Sequence, residues 1–315
     1  MDRQGSGPAP PPRAAALRSP VVAVTVTYNS ADVLDDFLRS VEGQSGDWSL
    51  IIVDNASTDG TSRRLAQIDN DRIHVILNPT NGGFAAGTNI GIKAALGADA
   101  SYVLLLNNDT SFDAHLFADL VAQLAKSGAD AISPVIVFDH DPETIWYAGG
   151  HLDWKRGVKV IHEHFEGPVA LAGTVPFETS FCPACCMLFT RSSLETAGLL
   201  DEDFFVYWED AEHCLRMKDA GLRIVVTPEL CIRHKASMLT GGMLSDFSLY
   251  QQYKNRMILL RKTANPLLLG YSVTIVAAAV AGRYFFKGDT RRGAWMRLKA
   301  MWAGLRTPLH PISKT

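Results

Sequence analysis

The chain has 315 residues, 47% hydrophobic and 20% charged, which excludes a disordered, collagenous or polytopic membrane chain and leaves a globular protein with a sizeable core. Thirty Lys and Arg stand against 33 Asp and Glu, a formal charge of −3, so no global basic excess points to nucleic acid. The balance is uneven: residues 283–315 carry Arg283, Lys287, Arg291, Arg292, Arg297, Lys299, Arg306 and Lys314 against Asp289 alone, a basic end on an acidic body.

Residues 1–20 are rich in Pro, Ala and Gly and lack an apolar stretch, so they read as a disordered leader and not a signal peptide. Val21–Val26 is a β-branched run ending in Thr27-Tyr28-Asn29. Ser49–Val53 ends at Asp54, Ile73–Leu77 follows, and Ser101–Leu106 ends at Asn107-Asn108-Asp109. Helix-length segments lie between them, at Ala31–Val41, Thr58–Ile68, Phe84–Leu96 and Ala114–Lys126, with Ser30 and Ser57 or Thr58 as the expected N-caps. Strands alternating with helices predict a doubly wound, mainly parallel α/β sheet. Near-continuous apolar runs suit strands covered on both faces. Residues 130–190 read as β-rich, with strands expected at Ala131–Phe138, Val158–His162 and Met187–Thr190. A helix over Glu209–Ala220, a strand Arg223–Val226 and a helix Asp246–Lys262 follow. The division expected is an α/β half at 21–130, a second half at 131–262, and C-terminal helices at 263–315.

The polar residues gather at one place in this scheme. Tyr28, Asn29, Asp54, Asn107 and Asp109 all fall just past the C-terminal end of a strand, the edge where open α/β sheets bind ligands. Asp109 suits a hard divalent cation shared with phosphates; a helix-capping Asx turn is the plainer reading. Asp54 suits a nucleobase N–H, or a capping loop with Ser57, Thr58 and Asp59. Gly82-Gly83-Phe84 opens a helix whose free N–H groups suit an anion, unless the glycines serve a tight turn. Trp208-Glu209-Asp210 begins a helix, where acids are favoured by the macrodipole; a carboxylate there also suits a general base for a hydroxyl nucleophile. His234 follows a strand end and is a candidate metal ligand. Five cysteines, at 182, 185, 186, 214 and 231, lack a second CxxC pair, so they read as reduced, packed thiols.

Thr263–Gly282 is a charge-free stretch long enough to cross a bilayer, though rich in Ala, with Pro266, Gly270 and Ser272 inside it. Arg291–Arg306 places Trp295, Leu298, Met301, Trp302 and Leu305 at helical spacing among Arg and Lys. That is the composition of a helix lying in an anionic membrane surface. Two core-packing helices are the alternative.

Taken together, Thr27-Tyr28-Asn29, Val53-Asp54-Asn55-Ala56-Ser57-Thr58-Asp59-Gly60, Asn81-Gly82-Gly83-Phe84, Asn107-Asn108-Asp109 and Phe204-Phe205 through Trp208-Glu209-Asp210 to Arg216 resemble the family 2 glycosyltransferases. The flavour is that of the rhamnosyltransferase-like branch, with galactofuranosyltransferases as relatives. The resemblance spans about Val21 to Arg261 and implies a GT-A fold with inverting transfer of a sugar, rhamnose or similar, from a nucleotide-diphospho-sugar. It implies Asp210 as the catalytic base and Asp109 with His234 at an Mg2+ or Mn2+ ion. Thr27, Tyr28, Asn29, Asp54, Gly83, Asn107 and Asn108 would line the nucleotide-sugar site, with Trp208 and Glu209 on the acceptor side. Three departures are visible, one being that the usual acid two residues after Asp210 is Glu212 here, with His213 beside it. The DxD-type motif keeps one carboxylate, as Asn107-Asn108-Asp109, and Cys185-Cys186 stand where the family has Gly-Ala.

Such transfers build cell-envelope polysaccharides, commonly on polyprenyl-linked acceptors. The basic tail then suits a cytoplasmic enzyme held peripherally on the inner face of the plasma membrane. A nucleotide-sugar-binding protein without transfer activity and a sugar-phosphate nucleotidylyltransferase are the alternatives. The latter needs a Gly-rich basic loop that Tyr28-Asn29-Ser30 does not supply.

Overall fold

The structure is a computed structural model describing residues 20–235 and 245–312. The expected leader lies, but for Pro20, outside the described residues.

Four parallel strands form the centre. They are β1 (Val21–Thr27), β2 (Trp48–Asp54), β3 (Ile73–Leu77) and β4 (Tyr102–Leu106), ordered β3-β2-β1-β4. The order reverses between β1 and β4, so the loops after these two strands flank the switch-point crevice of the sheet. β1 and β2 are buried along nearly their whole length, as their unbroken apolar character requires. The helices α1 (Leu34–Glu42), α3 (Phe84–Gly97) and α4 (Leu116–Ser127) cover the faces. α1 buries Leu34, Phe37 and Val41, spaced for one helix face. Gly87 and Gly91 let α3 lie directly on β1: a Cβ on Gly91 would stand 2.2 Å from Val24 Cγ1.

Beyond β4 the sheet becomes mixed. β11 (Cys186–Thr190) runs antiparallel between β4 and β6 (Ala131–Phe138), and β12 (Ile224–His234) lies parallel to β6. The short strands β5 (Thr110–Ser111), β7 (Asp141–Tyr147) and β10 (Phe177–Thr179) edge this half, and β8 (Gly150–Asp153) pairs with β9 (Lys159–His162) separately. The sheet is continuous across residue 130, and one apolar cluster runs from Val21 to Ile232.

Three sequence expectations are corrected. The strand expected to end at Val226 continues to His234, through an irregularity between Thr227 and Cys231 that keeps it paired with β6. The second helix, α2 (Thr61–Leu65), is shorter than expected, because hydroxyls and Asp59 hold residues 55–60 as a loop. The expected N-caps do not cap. Val33 and Gly60 occupy those positions, while the Ser30 hydroxyl accepts from Asn108 Nδ2 and that of Ser57 donates to Asp54.

After α5 (Arg191–Ala197) and α6 (Glu209–Asp219), the chain ends in α7 (Asp246–Thr263), α8 (Pro266–Phe286) and α9 (Arg291–Arg306). Ser245, Asn265 and Thr290 cap these three with side-chain oxygens, and Pro266 fits the first turn of α8. A second apolar cluster, including Val158, Phe204, Met257, Ile258, Val276, Val280 and Met301, welds them to the body. The charge-free stretch is thus the bulk of α8, with one face packed.

Candidate active site

The β5–β12 pairing sets His234 opposite Thr110, one residue from Asp109. His234 Nε2 lies 3.2 Å from Asp109 Oδ1, and both side chains are about 6% exposed. Asp109 Oδ1, His234 Nδ1 and the neighbouring Asn107 Oδ1 are buried with no hydrogen-bond partner in the structure. Buried polar atoms are almost always satisfied, so Asp109 Oδ1, which His234 Nε2 faces, is left open to a group the chain itself does not supply. Adjacent ligands of an octahedral cation at about 2.1 Å from the metal stand about 3 Å apart, and the Asp109–His234 spacing fits that edge. Among the described residues no group of three or more His, Cys, Asp or Glu side chains is placed to hold a metal. A cation here would take two protein ligands and leave its other positions for phosphate or water oxygens.

The second element is a strap, Phe204–Trp208, that delivers Glu209 and Asp210 at the start of α6. Tyr207 and Trp208 both have positive φ, 70° and 78°, a conformation strained for non-glycine residues. Asn255 of α7 restrains it, its Nδ2 donating to the carbonyls of Val206 (2.8 Å) and Tyr207 (3.0 Å). Below the strap, Lys262 Nζ bridges Asp201 at 2.6 Å and Asp203 at 2.7 Å, and the His310 ring joins Asp203 at 2.6 Å. Burial raises the Asp210 carboxyl to about 6, held back by N–H donors of Ala211 and Ala184. Glu209 is pushed further up, by burial first and the Asp210 charge second. Its Oε2 is buried and unpartnered.

The segment Cys182–Cys186 connects the two elements. Cys185 O accepts from Asn107 N at 2.8 Å, next to the metal pair, while Ala184 N–H reaches Asp210. The Cys185 thiol is driven up by burial and then by the charges of both Asp109 and Asp210. The Cys182–Cys186 segment thus lies between the two carboxylates, with Cys185 feeling the charge of both and Ala184 N–H bonded to Asp210. Cys182, Cys185, Cys186 and Cys214 are buried free thiols, as expected, whereas Cys231 is exposed.

Asp54 is engaged by its own loop. It is 1% exposed. Oδ1 accepts from Thr27 Oγ1 (2.8 Å) and Ser57 Oγ (2.5 Å), and Oδ2 from Ser62 Oγ (2.7 Å) and Ser57 N (3.2 Å). Four donors fill the lone-pair sites of a carboxylate, so Asp54 organises the loop from within. Thr27 is engaged by the same contact. Asn108 is 2% exposed and ties the β4 turn to Val26 O and Ser30 Oγ. Asn29, at φ 52°, pins the loop through Thr58 N and Ser57 Oγ. Tyr28, by contrast, is exposed. At Gly83 the first helical N–H is used within the chain: Phe84 N–H donates to Phe205 O at 2.6 Å. Gly83, at φ +92°, admits that strap, since a Cβ there would stand 2.3 Å from Phe205 O.

The sequence profile of glycosyl transferase family 2 matches residues 22–198, more than half of the chain. The chain belongs to this family. Among its family 2 relatives, the dTDP-rhamnosyl transferase RfbF of Shigella flexneri is 26% identical over 262 residues, covering 80% of this chain and 84% of that protein. The N-acetylglucosaminyl-diphospho-decaprenol L-rhamnosyltransferase of Mycobacterium tuberculosis is 28% identical over 249 residues, 70% of this chain and 77% of that protein. A mannosyltransferase from Pyrobaculum calidifontis, solved with GDP-Man and Mn2+, superposes with a TM-score of 0.54 at 18% identity, covering 91% of this chain and 86% of that one. The fold is GT-A, and this family 2 chain is a nucleotide-sugar-dependent glycosyltransferase.

Sequence reasoning missed Asn255 and the Lys262 network in this family 2 site. Asn255 lies just before the apolar Met257–Leu260 of α7, and a buried carboxamide beside such a run signals a specific backbone partner. It also missed a polar groove of about 510 Å3 beside the metal pair, lined by Asp36, Arg39, Ser111, Asp139 and Lys235 among others. Lys235 Nζ contacts Asp36 there at 2.6 Å and holds its carboxyl below the usual range.

Proposed function

We propose that this chain transfers a rhamnose-like sugar from a nucleoside-diphosphate donor to a hydroxyl of a polyprenyl-diphosphate-linked saccharide, at the cytoplasmic face of the membrane, in cell-envelope polysaccharide synthesis. The observation that carries the chemistry is the pairing, across the Cys182–Cys186 segment, of an elevated carboxyl at Asp210 with the unsatisfied Asp109–His234 pair. The sugar and the lipid-linked acceptor are supported by the names of the two rhamnosyltransferase relatives.

Asp210 accepts the proton of the acceptor hydroxyl as that oxygen bonds to the anomeric carbon. The bond to the nucleoside diphosphate breaks on the opposite face, so the configuration inverts. Asp109 and His234 would hold an Mg2+ or Mn2+ ion, which would supply Lewis-acid charge against the departing diphosphate. Asn107 Oδ1, buried and unpartnered two residues before Asp109, orients donor or bound water. Tyr28 is the open side chain of the base loop, while Thr27, Asn29, Asp54 and Asn108 set its shape and Gly83 admits the strap. Glu209 is pushed toward its neutral form by burial and by the Asp210 charge beside it. Trp208 walls the acceptor side. The strap's left-handed turn and its Asn255 clamp fix Asp210 in line with the donor.

The test is transfer by the purified full chain, with Mn2+ and a panel of dTDP-, UDP- and GDP-sugars, onto a short-chain prenyl-diphosphate N-acetylglucosamine. Product from dTDP-rhamnose supports the reading. Turnover of another donor with no product from dTDP-rhamnose overturns the sugar assignment. Turnover onto a lipid-free saccharide alone overturns the acceptor.

A further inference from the structure

The outer surface of the C-terminal helices is unlike the rest of the molecule. α9 turns Arg297, Ala300, Met301 and Gly304 inward. Its opposite face carries Trp295 and Trp302, 68% and 62% exposed, with Leu298 beside them. Arg291, Lys299 and Arg306 lie exposed on that same face. The last turn of α8 adds Phe285 and Phe286, 71% and 87% exposed. A groove of about 750 Å3 opens between these helices, lined by Tyr284, Arg291, Arg292, Ala294, Trp295 and Leu298. Exposed aromatic residues in a contiguous patch mark a surface made for contact.

Charge identifies the partner. Asp289 is bound to Arg297, and Asp246 to Arg292. Among the described residues, no carboxylate pairs with Arg283, Lys287, Arg291, Lys299 or Arg306. A second copy of this surface would repel the first. Tryptophan beside unpaired arginine and lysine is the chemistry of the lipid headgroup layer: the indole rests at the boundary of apolar and wet, and the cations meet phosphates.

The packing of α8 argues against a span, although it is long and apolar enough for one. Ser272, Val276 and Val280 form a buried stripe along it, and Tyr271 OH donates to Lys155 O at 2.8 Å. Its N-terminal half is held against the catalytic body by these contacts. Crossing a bilayer would require tearing them.

We propose that the outward face of α9 and the aromatic end of α8 dock, lying in the membrane plane, on anionic phospholipid headgroups. This rests on the membrane-face reading above and names the surface, its partner and its depth. The dock is tied to the chemistry. Past α9, His310 binds Asp203 through both its ring and its backbone N–H, and Lys262 binds Asp203 and Asp201. Asp201 and Asp203 open the strap that ends at Asp210. The height of the acid above the lipid surface is thereby fixed.

The experiment uses the full chain with vesicles of pure phosphatidylcholine and of phosphatidylcholine containing a quarter of phosphatidylglycerol. Sedimentation with the anionic vesicles alone, weakening as salt rises, is expected. The double variants Trp295→Ala/Trp302→Ala and Arg291→Glu/Lys299→Glu should each weaken that binding by at least about tenfold, with transfer to a water-soluble acceptor retained. Wild-type binding by the variants, or no binding by the wild type, overturns the surface. Retention in membranes after carbonate extraction overturns in-plane docking. Vesicle binding without any glycosyl transfer would sink the functional reading and leave the docking surface standing.

Discussion

His234 Nε2 faces Asp109 Oδ1 at 3.2 Å without hydrogen-bond geometry, leaving the carboxylate oxygen with no donor. Two side chains brought that close for their own sake would bond to each other; this spacing instead suits the proposed shared cation. His234→Ala and Asp109→Ala should each weaken Mn2+-dependent binding of a nucleoside diphosphate by at least about tenfold. Metal-free binding should change little. Calorimetric titration with and without Mn2+ reads both numbers, and an unaltered Mn2+ effect in both variants removes the pair from the metal site.

Asp210 must be ionised to accept a proton, and burial sets its carboxyl at about 6. Turnover should therefore rise with pH through about 6 and level off above it. Asp210→Asn should lower kcat by about a hundredfold to ten-thousandfold, with donor binding intact. Stability moves the other way. A carboxyl whose folded value lies above its unfolded one stabilises the fold fully below about 4, and that contribution is lost as pH rises through 6. The Asn variant should thus match the wild type near pH 4 and exceed it at pH 8, by on the order of 1–3 kcal/mol. Thermal melts at the two pH values test this; equal gaps at both would show that the carboxyl is not elevated.

Strand ends, the switch-point edge and the order of the acidic motifs were all legible in the sequence, because buried parallel strands are unbroken apolar runs and their ends are marked by polar residues. What each polar residue touches was not legible. Asp54 and Asp109 look alike in sequence, each following a strand. Asp54 is ringed by Thr27, Ser57 and Ser62, whereas Asp109 meets His234, which lies 125 positions later and arrives only because β12 runs on past Val226. The left-handed turn at Tyr207 and Trp208 was hidden for a related reason. Neither residue favours positive φ, so only the tertiary clamp from Asn255 reveals it.

The ring of donors around Asp54 makes its role separable from direct base recognition. Asp54→Asn converts an acceptor-only group into one with its own N–H donors, and leaves at least one of the hydroxyls of Thr27, Ser57 and Ser62 without its acceptor. Folding stability should fall by about 1–3 kcal/mol, and affinity for uridine, thymidine and guanosine diphosphates should drop by similar factors, since the loop as a whole loosens. Selective loss for one base would place the carboxylate on that base. Chemical denaturation and competitive nucleotide binding provide the two readings.

Asn255 is fully buried, and both hydrogens of its carboxamide hold the strap at Val206 and Tyr207. Asn255→Ala leaves those carbonyls unbonded and frees a turn whose two left-handed residues favour relaxing. Asp210 would then move relative to the donor, and a displacement near 1 Å reduces rate by up to about a hundredfold. The expected outcome is a fall in kcat of that order, with nucleotide affinity unchanged, because the Asp109–His234 pair and the Asp54 loop rest on β1, β2, β4 and β12 and not on α7. Asn255→Asp, which replaces the two donors with acceptors against two carbonyls, should do worse than Ala. Parallel losses of kcat and nucleotide affinity, or an Asp variant as active as the wild type, would show that the carboxamide only fills space in α7.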